Sequence, residues 1–557
     1  MAPRAAAALL YALRALYAVA PAVLHPDEYG QSVNPVAAML NPDNATHAAL
    51  VDAHGRPTAV PWEFRTARAA RSCAAPALTA GLGLAVAART TRIMQWQAPA
   101  AAFARFVLPK ALMATAVAFT GDSAASAFAD ALGAQARAPD VWPMAVLGAK
   151  PLANAVEALL FAALVAMYAR ATTARRATST LACLVGALVA VGCAVRFTFV
   201  VFAAPLVLHG ACLAGFQRRS IGAFAAHVAA CGASAAAVLA VLACVDATCY
   251  TRFGHAFDAL SGSVESERWR GQSRSFLLPW LNNLRYNADG ERVAAEHGRH
   301  PRLTHALISM PWLSGPAYAL FTWRCIRNAA SAICMPRATL ASLRDPATSL
   351  HAALCASVVL PLLALSLSPH QEPRFLLPAA WAVQWSEVNF SSARMGRAFH
   401  VVHAAHQIAM PLVYAIAHQG GLVRSQLAVL GIAPSLCVGE NATSVCKIDV
   451  AYAQTYPPTA PLFTAALHDG IEIRATDCMD DTACFVREQR SAHILVAPPS
   501  AMRASGARLR KERLLFPHFS GETTPGEFAA SMRELQRGNA RAAWRHATDA
   551  LSLGVYV

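Results

Sequence analysis

Charge is what this sequence has least of: Asp, Glu, Lys and Arg make up only 14% of its 557 residues, against about 25% in a soluble domain. Together with 56% hydrophobic residues and a mean hydropathy of +0.37, that scarcity excludes an ordinary soluble enzyme and a disordered or fibrous chain. No tight C-x-x-C pair is present, which favours disulfides over zinc as the use of any paired cysteines. No internal repeat is visible in the sequence, which counts against a transporter built from repeated halves. A net charge of +15 invites a nucleic-acid reading. The Lys and Arg, however, fall in short clusters between apolar runs, as they do in the cytosolic loops of membrane proteins.

Apolar runs recur along most of the chain. The first, Ala5 to Leu24, matches the length of about 20 residues needed to cross a bilayer. It reads as a retained anchor rather than a signal peptide cut after Ala18-Val19-Ala20, because Pro21 would follow the cut and Arg14 interrupts the run. Further spans are expected near 72–88, 106–120, 141–168, 181–195, 197–213, 221–245, 308–323, 350–367, 375–388 and 401–417, about eleven in all. With Arg4 cytosolic, alternation puts the basic clusters at Arg89/Arg92, Arg175/Arg176, Arg218/Arg219, Arg324/Arg327 and Arg394/Arg397 on one side. Residues 25–71 and the tail then face the lumen. The tail is polar and holds Cys437, Cys446, Cys478 and Cys484 beside an Asn441-Ala442-Thr443 sequon. Two disulfides of open pairing are expected there. The other ten cysteines, between Cys73 and Cys355, are expected to act as small hydrophobes.

The same alternation gathers the polar clusters on the lumenal side. His25-Pro26-Asp27-Glu28-Tyr29-Gly30-Gln31 follows the first run, and Pro26 stiffens the exit so that two carboxylates stand at the membrane edge. Asp27 there is a candidate general base, its pKa expected to rise by desolvation, and Glu28 is a second carboxylate. A solvated loop is the competing reading. Trp62 and Glu63 precede the next span, and Asn154 and Glu157 share a helix face at the start of another. These could equally be an interfacial anchor and interhelical glue. Arg196 lies at a turn between two short spans, where an Arg either snorkels or binds phosphate. Asn283, Tyr286 and His297 form an amide-rich loop suited to sugar hydroxyls, and His370, Glu372 and Arg374 mark a last lumenal boundary.

Taken in order, His25 to Glu28, Trp62 to Arg65, Asn154 with Glu157, Gly192 with Arg196 and Thr198, and His370 to Pro378 resemble the dolichyl-phosphate-mannose-dependent mannosyltransferases of glycosyltransferase family 22. Asn282 to Asn287, Ala295 to Pro301, His370 to Pro378 and His418-Gln419-Gly420-Gly421 are similar to the branch that adds the fourth mannose to the glycosylphosphatidylinositol (GPI) anchor precursor, and Tyr456-Pro457-Pro458 also resembles a pattern of the family. Lys150, where that family would have Arg, and Gly30, where it would have a bulky residue, depart from the pattern. The resemblance implies an all-α polytopic membrane protein of the endoplasmic reticulum. Its parts would be a GT-C type helix bundle (1–433) with its first lumenal loop at 25–71, and a small lumenal C-terminal region (434–557). It also implies inverting transfer of mannose from dolichyl phosphate β-D-mannose to a GPI glycolipid, forming an α1,2 link. Asp27 and Glu28 would be catalytic, and Arg374 and Arg196 would bind the donor phosphate. His25, Gln31, Trp62, Glu63, Asn154, Glu157, Asn283, Tyr286, His297, His370 and Glu372 would contact substrate, without metal or cofactor. Another member of the family, adding the third GPI mannose or an N-glycan mannose, is the nearest alternative; a transporter or a scaffold subunit is more distant.

Overall fold

The computed structural model describes residues 12–557 apart from 18, 24, 41–49, 53, 55, 67–68, 134–141, 262–277, 392–395, 438–444, 459, 464–465, 468–469, 480, 490, 506–509 and 521–523. Runs rich in Ala and Leu, the strongest helix formers, build α1 (Leu82–Met94), α2 (Ala98–Ala131), α3 (Ala153–Thr173), α4 (Ser179–Val195), α5 (Phe199–Arg218) and α6 (Ile221–Leu260). Two short polar helices follow, α7 (Pro279–Ala288) and α8 (Gly290–His297). The bundle is completed by α9 (Pro316–Cys334), α10 (Pro346–Leu365), α11 (Leu377–Ser391), α12 (Arg397–Pro411) and α13 (Leu422–Leu436). Helix starts are set by local chemistry. Thr178 Oγ1 accepts from the Leu181 N–H at 3.1 Å and Asp345 from the Thr348 N–H at 2.9 Å, each satisfying a donor that the first helical turn leaves open.

Among the described residues five helices, α2, α3, α5, α6 and α10, are long and apolar enough to cross a membrane. The larger number expected from the sequence is broken up by irregular turns. The run after Ser72 passes through a π-helical turn at Ala77–Gly81 before α1, and α12 continues into another at Leu412–Ala417. The expected 141–168 span divides into a short helix, Trp142–Val146, and α3. The first apolar run falls largely outside the described residues.

The tail departs from the all-α expectation. It contributes β2 (Cys446–Ala453), β3 (Ile471–Met479), β4 (Ile494–Ala497), β5 (Lys511–Leu515) and β6 (Leu553–Tyr556) to a six-stranded sheet, ordered β1-β3-β2-β4-β6-β5. The edge strand β1 (Leu50–Asp52) comes from the first loop and pairs in parallel with β3, Leu50 opposite Ala475. In this mixed sheet β4, Ile-Leu-Val-Ala, is buried on both faces, as suits a strand covered on both sides, whereas β3 alternates apolar and polar residues and β5 is a charged, exposed edge.

Cys437 bonds to Cys446 and Cys478 to Cys484, the two tail disulfides expected. Cys73 and Cys249 form a third, tying the segment before α1 to α6. This corrects the reading of both as inert hydrophobes, since residues 176 apart in sequence give no local signal of pairing.

One apolar core joins the first loop (Tyr29, Val33, Phe64) to the start of α2 (Phe106), the end of α6 (Tyr250, Phe257), α13 and the sheet (Ile448, Ile473, Val555). The sheet is thereby packed against the same end of the bundle as the first loop.

Candidate functional site

The first loop leaves the bundle through a tight turn in which the N–H of Glu28 donates to His25 O at 3.0 Å and that of Gly30 to Pro26 O at 3.0 Å. Consecutive side chains on such a turn diverge by about 100°. Asp27 accordingly faces a cavity of about 790 Å³, while Glu28 is fully buried behind it. The Glu28 carboxylate lies 3.0 Å from Lys110 Nζ and 3.6 Å from Lys150 Nζ. Lys110 rests on the Phe106 ring, 3.7 Å from its centroid, and Lys150 donates to Ala22 O. Glu28 therefore faces two buried lysines and does not reach the cavity, unlike the second carboxylate expected there.

On the facing wall, Pro373 opens a 3-10 turn, Pro373–Leu376, that carries Arg374. Arg374 Nη2 donates to Asp27 Oδ2 at 2.6 Å, and its Nε donates to Glu372. His25 lies between the two carboxylates, 3.5 Å from Asp27 and 3.6 Å from Glu372, and His370 Nε2 is 2.7 Å from Glu372. Burial pushes the Asp27 carboxyl up, but Arg374 and His25 outweigh it and hold it below the usual carboxylate value. The expected rise is thus reversed, because an opposite charge at hydrogen-bond distance exceeds the desolvation cost. Glu372 is lowered in the same way against its own burial, by Arg374 and His370. Burial, aided by the Arg374 charge, takes His25 down to about 4, so its imidazole is neutral near pH 7.

A second wall comes from Gln31, whose amide donates to both Glu63 oxygens at 3.3 and 3.2 Å, with Arg71 donating to Glu63 at 3.0 Å. Arg196, at the turn between α4 and α5, pairs with Glu157 at 3.1 Å and stands 4.7 Å from the Phe375 ring centroid. The close approach there requires glycine: a Cβ on Gly192 would come within 2.1 Å of the Phe199 ring. Helices α7 and α8 form a polar flap in which the Tyr286 hydroxyl donates to Glu296 at 2.6 Å and lies 2.9 Å from His297 Nε2. Between α5 and α10 the lining turns apolar, with Val201, Leu365 and Leu367.

The cavity thus brings together His25, Asp27, Gln31, Glu63, Arg196, Asn283, Tyr286, His297, His370, Glu372 and Arg374. Glu157 stays behind Arg196, fully buried, and accepts from Thr198 Oγ1 at 2.8 Å. Asn154 is also buried and outside the lining. The side chain of Trp62 lies outside the described residues. Sequence reading assigned no part to Lys110, although a lysine inside a long apolar run is costly enough to demand a partner. Nor did it assign one to Arg71, Asn287 or the Phe375 ring, all of which line the cavity.

Residues 6–431 match the model of the Alg9-like mannosyltransferase family. Among curated relatives, a "GPI mannosyltransferase 4" of Aspergillus oryzae is 29% identical over 58% of this chain and 54% of its own length. One of Schizosaccharomyces pombe is 31% identical over 33% of this chain and 28% of its own length. The human "GPI alpha-1,2-mannosyltransferase 4" is 25% identical over 92% of this chain and 88% of its own length. The chain therefore spans about half of the Aspergillus protein and most of the human one. No solved structure matches. With the family model covering most of the bundle and the His25–Glu28 turn within its reach, the chain belongs to the Alg9-like mannosyltransferase family.

Proposed function

We propose that the cavity transfers mannose from dolichyl phosphate β-D-mannose to the 2-hydroxyl of the third mannose of the GPI anchor precursor. The product is an α1,2-linked fourth mannose, formed on the lumenal face of the endoplasmic reticulum membrane. The observation that carries this reading is the Asp27–Arg374–Glu372 cluster at 2.6 Å from base to cation, on a cavity that is polar on one side and apolar between α5 and α10. The relatives' names support the acceptor class.

In this reading the isoprenoid enters along Val201, Leu365 and Leu367, and Arg374 and Arg196 receive the phosphate through charge-assisted hydrogen bonds. As Arg374 turns to the phosphate it releases Asp27, whose carboxylate regains basicity. The acceptor oxygen then attacks the anomeric carbon opposite the phosphate, its proton passes to Asp27, and the dolichyl phosphate leaves with the bonding electrons. Attack from the opposite face converts the β donor into an α link. Gln31, Glu63, Asn283, Tyr286 and His297 are placed to hold acceptor hydroxyls.

Microsomes from cells lacking the protein, supplied with labelled donor and a three-mannose GPI precursor, test the reading: the chain should restore the four-mannose product. Extension of a two-mannose precursor or of an N-glycan intermediate instead would assign another reaction of the family.

A further inference from the structure

The tail carries a surface that the cavity does not use. Helices α14 (Thr524–Gln536) and α15 (Ala540–Ala550) form an antiparallel hairpin. Thr524 Oγ1 donates to Ala550 O at 2.8 Å at its base, and Ser531 Oγ to Ala543 O at 2.7 Å along its seam. Phe528, Met532 and Leu535 recur at the spacing of one helix face, the pattern of a stripe that normally packs inward. They are nevertheless 40%, 57% and 54% exposed, and Trp544 on α15 is 72% exposed. With about 100° between successive residues, turning in the same sense from the Ser531–Ala543 seam on two antiparallel helices brings the stripe and Trp544 to one side.

The charges beside them are asymmetric. Glu527 is paired with Arg503 at 3.3 Å and Glu534 with Arg537 at 2.8 Å, and Asp549 also pairs with Arg503. Arg533, Arg541 and Arg545 are exposed, and among the described residues their guanidinium groups have no partner. The hairpin therefore presents apolar side chains together with uncommitted positive charge.

Its base is fixed where the bundle ends. The Phe519 N–H donates to Ala417 O at 2.7 Å and the His518 N–H to Leu551 O at 2.7 Å. Arg424 donates to Phe516 O at 2.7 Å and Pro517 O at 2.6 Å. Leu412 and Val413, on the turn that leads to Ala417, are 52% and 39% exposed, and Phe516 is 56% exposed. Exposed apolar side chains thus stand on the turn after α12 as well as on the segment that leads to the hairpin. We propose that α14 and α15 lie on the bilayer surface beside the bundle. Phe528, Met532, Leu535 and Trp544 enter the headgroup boundary, and the free arginines engage lipid phosphates. Four side chains are too small an area for a stable protein interface, which needs about 800 Å² per partner, whereas an amphipathic surface helix needs only such a stripe. The proposal stands independently of the transfer reaction.

The test uses the full chain in phosphatidylcholine vesicles, with or without phosphatidylserine, and benzoylphenylalanine in place of Trp544, Leu535 or, as control, Lys447, an exposed side chain on β2. Illumination should give lipid adducts at 544 and 535 and not at 447. The Arg541→Glu, Arg545→Glu pair should reduce adducts several-fold more in the anionic vesicles than in the neutral ones. Absence of lipid adducts at both hairpin positions, or adducts there to protein instead of lipid, would overturn the proposal.

Discussion

Asp27 and Arg374 lie 347 residues apart in the chain and meet at 2.6 Å. The proposed base is held by the same guanidinium that, in the reaction proposed above, would bind the donor phosphate.

Removing the base should abolish transfer while leaving the fold intact. Loss of general-base catalysis costs about 10² to 10⁴ in rate. Asp27→Asn should thus insert normally and fail to extend a three-mannose precursor, as measured by labelled mannose transfer in microsomes containing equal amounts of each protein. Retention of most of the wild-type rate would remove Asp27 from this role.

Glu28→Gln is expected to act on stability. Glu28 lies against Lys110 and Lys150 with no exposure, and breaking a buried ion pair costs about 3 to 5 kcal/mol. The variant should melt earlier in detergent, and Lys110→Met added to it should restore part of the loss, because an uncompensated ammonium is then removed. A variant with normal melting and impaired turnover would instead favour a direct part in the reaction.

Arg374→Ala should raise the KM for the dolichyl-phosphate donor about tenfold or more, since a hydrogen bond to a charged group contributes about 1.5 to 3 kcal/mol. Arg374→Lys should recover only part, because an ammonium lacks the planar fork. Unchanged donor kinetics in both would place the phosphate elsewhere.

Acidification should destabilise the protein, and the sign follows from each group. The Asp27 and Glu372 carboxyls are depressed in the fold, so their stabilisation is present above the unfolded values and is lost as pH falls through the folded ones. His25 is depressed to about 4. Below its unfolded value of about 6.5 the unfolded chain gains a proton that the fold refuses, so stability already declines between those two values. Melting temperature followed from pH 7 to pH 4 should fall, and His25→Gln should make that fall shallower. A flat wild-type curve would contradict the charges described for this cluster.

Thiol labelling of the folded, unreduced protein should leave Cys73, Cys249, Cys437, Cys446, Cys478 and Cys484 unmodified. The accompanying expectation for sidedness is that Asn441, which lies outside the described residues, can be glycosylated, and that Asn389, in the Asn389-Phe390-Ser391 sequon at the end that charge alternation assigns to the cytosol, cannot. Labelled Cys73 or a glycan at Asn389 would break the assignment.

The sequence by itself determined the class of molecule and named many of the polar residues that line the cavity. Scarce charge and long apolar runs leave a membrane bundle as the stable arrangement, because backbone polar groups in lipid must be satisfied within helices. The clusters at His25–Gln31, Asn283–His297 and His370–Arg374 could be read as one site because charge alternation put them on one side. Only the tertiary structure decided how neighbours divide their work. Asp27 and Glu28 are adjacent in sequence, yet a single turn sends one to the cavity and the other to two buried lysines. The tail sheet was illegible for a related reason. β4 and β6 are four residues long and buried throughout, too short to show a period, and β1 joins the sheet from the first loop. The lowered pKa of Asp27 needed distance: sequence showed a carboxylate at a lipid boundary, and the fold supplied the arginine whose charge at 2.6 Å outweighs the desolvation there.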